Sequence, residues 1–201
     1  DNDKDALHMG GHNNFLGSDV KPGQVKGVVL NPMQQSEPSK QGIFMNADFT
    51  WNLWKSQEHA NKAWEESFSY VDHNSPVDTA GSNALRELSG HALRMYGGGA
   101  TWENGESAAI KDKLADFRTK LAADNVTEAD VVAMQEVFTG LKNTAETYRA
   151  NAGNEDMLAQ ISYWVDAMDE QAEAALLELE AVAADLKGDK STLVAKYSEG
   201  T

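Results

Sequence analysis

The chain has 201 residues, 41% of them hydrophobic, a formal net charge of −15 and no cysteine. That is enough chain to bury one good core and too little for two full domains. The acidity speaks against nucleic acid and anionic membrane surfaces, which need a basic face, and the missing cysteines exclude disulfides, thiolate metal sites and a cysteine nucleophile.

Residues 1–45 hold three of the four prolines and many glycines, with no sustained period of 3.6 or 2. They are expected to form an extended N-terminal arm, with Gly27-Val28-Val29-Leu30 as a short strand or extended segment and Ile43-Phe44-Met45 as an apolar plug. Residues 46–201 are expected to form the helical domain. The first helix, over 46–72, carries Phe49, Trp51, Trp54, Trp64, Phe68 and Tyr70 and stops at Asn74-Ser75-Pro76. A second runs over 82–96 and ends at Gly97-Gly98-Gly99. After a turn at Asn104-Gly105 a third helix runs to Ala123, with the stripe Ile110, Leu114, Phe117 and Leu121.

Thr127 with Glu128 and Asp130 starts a fourth helix, which presents Val131, Met134, Phe138, Leu141, Ala145 and Tyr148 on one side. The clearest element follows, over 154–187. Met157, Ile161, Trp164, Met168, Ala172, Ala175, Leu179, Val182 and Leu186 form one apolar seam, uninterrupted by proline or glycine. Asn154 caps its start and Gly188 ends it. Residues 154–201 carry eleven acids against three bases, so about half the net charge sits here. A last short helix is expected around 191–197. Short connections favour antiparallel neighbours, and the expected fold is all-α: an up-and-down bundle of four to five helices beneath a largely non-helical N-terminal arm.

The aromatic helix is the first candidate for function. Drawn on one helical wheel, Trp54, Gln57, Asn61 and Trp64 share a face bordered by Trp51, Glu58 and Glu65. Two carboxamides among aromatic rings need hydrogen-bond partners, supplied either by the protein itself or by a ligand. Adjacent acids would add a preference for a cation. The favoured reading is therefore a non-catalytic extracytoplasmic module binding a small polar or cationic ligand.

Two alternatives stand beside it. His8, Met9 and His12, with Asp5 upstream, form a ligand set suited to copper or zinc, and Glu87 and His91 at i and i+4 can chelate together with His59, His73 or Glu58. That describes a metal-delivery or uptake protein. The third reading is a structural or assembly protein whose acidic helix docks a basic protein partner. An enzyme is less favoured, because no nucleophile elbow, P-loop, dinucleotide fingerprint or H-E-x-x-H motif occurs. No apolar run reaches the length of a membrane span. A start at Asp1 suits a processed N-terminus and a periplasmic or extracellular protein.

Overall fold

The computed structural model describes residues 7–10, 20–92 and 107–200, and among these the protein is all-α, with no strand. Seven helices occur in the order α1 (Ser36–Asn52), α2 (Gln57–His73), α3 (Ala80–Gly90), α4 (Ala108–Ala122), α5 (Glu128–Asn151), α6 (Glu155–Leu186) and α7 (Lys190–Gly200). They exceed the expected four to five. The break after Asn52 and the last helix, expected separately around 191–197, account for the two extra helices, and the start of α1 differs as well.

Helix α1 begins ten residues ahead of the expected start, inside the stretch read as an extended arm. Pro38 lies in its first turn, where the missing N–H would have no intrahelical acceptor in any case. The second difference is a break at Leu53–Ser56 in what looked like one helix. Leu53 adopts the left-handed conformation (φ 44°) and its N–H reaches Phe49 O at 2.7 Å. Trp54 then folds back, donating through Nε1 to Asp48 Oδ2 at 2.6 Å and packing edge-on against Phe49. Ser56 restarts the chain as the cap of α2, accepting from His59 N–H at 3.2 Å.

Capping explains the starts of α3, α5, α6 and α7. Thr79 and Ser82 form a reciprocal capping box at α3, and Thr127 and Asp130 pair at α5. The long rod over Glu155–Leu186 is continuous for 32 residues, as its seam predicts. Its buried line runs through Met157, Ile161, Val165, Ala172 and Leu179 to Ala181 and Ala184, while Leu186 is exposed. The segment around Val29, read as a short strand or extended piece, has no regular structure, and Val29 stands in solvent. The stop at Gly97-Gly98-Gly99 and the turn at Asn104-Gly105 lie outside the described residues.

The chain divides into two compact units. Unit 1 comprises 1–107 and 147–162, so it contains α1 to α3, the last turn of α5 and the first two turns of α6. One part of its core joins Met45, Phe49, Trp54, Ala60 and Ala63, with Leu53 and Trp64 packed against them. Unit 2 comprises 108–146 and 163–201 and is built on Val131, Met134 and Leu179, flanked by Leu114, Phe117 and Phe138. No described helix is long and apolar enough to cross a membrane.

Candidate functional site

Within unit 1, a groove of about 660 Å³ lies where the middle of α1, the last turn of α2 and the start of α6 come together. Lys40, Ile43 and Phe44 line it from α1, Tyr70 to Asn74 from α2, and Gly153 to Asp156 from α6.

Its floor is a hydrogen-bond lock. Asp72 has a fully buried side chain that accepts from Gly153 N–H at 3.0 Å and meets His73 Nδ1 at 3.1 Å. His73 Nε2 in turn lies 2.6 Å from Val77 O. Asn154 caps α6 by accepting from Met157 N–H at 2.9 Å, while its amide donates to Val71 O at 3.0 Å and to Glu37 Oε2 at 2.7 Å. Lys40, 2.6 Å from Glu37, and the Asn154 amide hold that carboxyl below the usual carboxylate range. Tyr148, fully buried, has its phenol pushed above the usual range by burial, and the nearby charge of Asp72 adds to the effect.

The wall is aromatic. Phe44 and Tyr70 stack at 5.2 Å between centroids and 26° between planes, and Tyr70 remains exposed. Glu155 and Asp156 stand exposed in the first turn of α6. Asp72 is committed to Gly153 and His73, so it anchors the turn and is not placed to carry protons. The groove can bind and orient a polar molecule against an aromatic face.

The residues expected to form the aromatic pocket are brought together only in part: Trp54 and Trp64 share one core cluster and Gln57 pairs with Asn61, while the break at Leu53 leaves Trp51 apart from them. Trp51 is 85% exposed at the end of α1, whereas Trp54 is buried against Asp48. Gln57 donates to Asn61 at 2.8 Å, so the two carboxamides partner one another. Trp64 donates to Met9 O at 2.7 Å and packs edge-on against Phe68, pinning residues 7–10 to α2. Glu58 and Glu65 point to solvent.

The metal-ligand candidates are dispersed. Met9 is fully buried, His8 is half-buried, and Asp5 and His12 lie outside the described residues. His91 Nδ1 pairs with Ser107 Oγ at 2.9 Å and its Nε2 lies 3.7 Å from Glu87, whose carboxyl it holds below the usual range. His59 is half-buried on α2. Among the described residues, no three His, Asp or Glu side chains gather as a metal site would require.

Comparison with known proteins finds two family matches and a recurrent fold. Residues 1–89 match the family described as beta-N-acetylglucosaminidase, and residues 109–201 match the family described as hyaluronidase post-catalytic domain-like. Its fold recurs in solved structures, among them those of CpGH84D and CpGH84B. That of CpGH84D is 24% identical with a TM-score of 0.79, over 97% of this chain and 31% of that one. That of CpGH84B is 20% identical with a TM-score of 0.78, over 98% of this chain and 32% of that one. The chain thus spans about a third of the length of these structures.

These matches correct the functional expectation. A non-catalytic ligand-binding module, a metal-delivery protein and an assembly protein were the sequence-based readings, and an enzyme was disfavoured. The first matched family is described by an enzyme name and the second as a domain that follows an enzyme's catalytic part, and they cover successive segments of the chain. No short local motif carries this likeness, which is spread thinly over whole helices.

Proposed function

We propose that this chain is a segment of a glycoside hydrolase that cleaves β-linked N-acetylglucosamine. Residues 1–89 belong to its glucosaminidase portion, and 109–201 to the helical domain that follows. The observation that carries this reading is the tandem pair of family matches, which leave few residues of the chain uncovered.

Charge separates the two substrate classes named by the matches. Hyaluronan is a polyanion, and a chain of net charge −15 repels it; a neutral N-acetylglucosaminide meets no such penalty. Glycosidic cleavage generally uses two carboxyl groups flanking the bond, one of them able to donate a proton to the leaving oxygen. Asp72, with both oxygens engaged inside the fold, is unsuited to that work. We therefore assign bond cleavage to carboxyl groups outside the groove.

The test is an assay of the full-length protein carrying this chain. It should release the chromophore from an aryl β-N-acetylglucosaminide and leave the α-anomer, the aryl β-glucoside and hyaluronan intact. Failure to act on the β-N-acetyl substrate ends the proposal, and preference for hyaluronan reverses the substrate assignment.

A further inference from the structure

We propose that the groove between α1, α2 and the start of α6 is a secondary sugar subsite, which takes a neutral N-acetylated hexose unit of the glycan being processed. The inference rests on the glycosidase reading above and adds a second point of contact to it.

The aromatic wall comes first. Tyr70 is 38% exposed and stacked on Phe44, so its outer face is open while its inner face is fixed. A pyranose presents one face of C–H groups, which packs on such a ring while the hydroxyls point sideways. The rim supplies what those hydroxyls need. Asn74, Glu155 and Asp156 all line the groove. The amides of Glu155 and Asp156 precede the first intrahelical bond of α6, which runs from Leu158 N–H to Asn154 O, so the helix itself does not use them. An acetamido carbonyl is an acceptor suited to such donors.

Charge selects the sugar. Lys40 is paired with Glu37 at 2.6 Å, and the exposed carboxylates of Glu155 and Asp156 add negative charge to the rim. A uronic acid or a phosphorylated sugar would be repelled, and an uncharged amino sugar would not. Size and order fit as well. About 660 Å³ lies within the usual range for a small ligand, and the Asp72 to Gly153 and Asn154 to Val71 bonds set the floor before the ligand arrives. The groove draws its residues from both matched segments, since Tyr70 falls in the first and Asp156 in the second.

The experiment uses the full-length protein labelled with 3-fluorotyrosine, in which the fluorine resonance lost in Tyr70→Phe identifies Tyr70. Free N-acetylglucosamine should shift that resonance saturably, whereas glucuronate at equal concentration should not. Phe44→Leu, checked for an unchanged melting profile, should weaken the response by about tenfold, the order expected when an aromatic contact is removed. Glu155→Gln with Asp156→Asn should let glucuronate in. A Tyr70 resonance indifferent to N-acetylglucosamine overturns the inference, as does a stronger response to glucuronate. Hydrolysis of the aryl substrate is scored separately. Activity with a silent Tyr70 removes the subsite and keeps the enzyme, while a responsive Tyr70 without activity keeps the sugar site and removes the enzyme.

Discussion

Asp72 and Gly153, 81 positions apart in sequence, are joined by a 3.0 Å hydrogen bond from the glycine amide to a carboxylate with no exposed side-chain surface. This bond ties the end of α2 to the reversal between α5 and α6, and it sets the floor of the groove.

The approach leaves no room for a side chain. A Cβ on Gly153 would lie 2.8 Å from Asp72 Oδ2 and 2.9 Å from Asp72 O, and one on Gly81 would overlap the backbone oxygen of Asn151. Alanine at either position should lower stability by about 1–3 kcal/mol, with Gly81→Ala the worse because its overlap with backbone is the deeper. Gly140→Ala, in open space inside α5, should instead raise stability by up to about 1 kcal/mol. Thermal melts of the three variants check the order, and a harmless Gly81→Ala would contradict the packing.

Asn154 serves three partners at once, so Asn154→Ala should cost more than an ordinary cap, about 2–3 kcal/mol. Asn154→Asp keeps the cap to Met157 but turns a carboxylate toward Val71 O and Glu37. That variant should be destabilised at neutral pH and recover as the pH falls through the carboxylate range. Denaturant melts at both pH values measure the difference.

Lys120, 2.7 Å from Asp130, is the main cause of that carboxyl's fall from 3.8 to about 2, and Thr127 adds its hydroxyl and N–H. The folded value lies below the unfolded one. The contribution to stability is therefore complete above the ordinary carboxylate value and disappears as the pH drops through about 2. Carboxyl-carbon NMR should find Asp130 titrating near the low value, and Lys120→Met should move it toward 3.8. An unmoved titration would show that Thr127 alone suffices.

Gln41 is fully buried in α1, and neither of its amide atoms has a hydrogen-bond partner among the described residues. A buried amide without partners carries a desolvation cost that a thioether of similar shape avoids. Gln41→Met should raise the melting temperature, corresponding to about 1–3 kcal/mol. A drop of that size would mean the amide is satisfied in solution, by water or by a ligand.

Legibility in the sequence followed periodicity. The seam from Met157 to Leu179 and the stripe Val131, Met134, Ala145 and Tyr148 were readable because burial repeats with the helical turn, and all-α architecture follows from them. The start of α1 is hidden because residues 36–45 show no sustained helical period, and Pro38 is tolerated there as a first-turn residue. The break at Leu53 was hidden because a leucine in the left-handed region carries no compositional mark, although Ser56 was a cap signal available to be read. The groove was invisible for a different reason. Asp72 and Gly153 meet only in the folded chain, and no spacing rule joins them.

The locked reversal at 152–154 also bears on how the protein can be handled. Gly153 is exposed, and an exposed helix connection is ordinarily where a protease nicks or an inserted epitope tag is tolerated. Here such a cut or graft would pull on Asp72 and Val71 together and open unit 1 from beneath. Gly27, exposed in the irregular segment ahead of α1, has nothing within 4 Å of where a side chain would begin and no positive φ, and it is the better place to splice in a label.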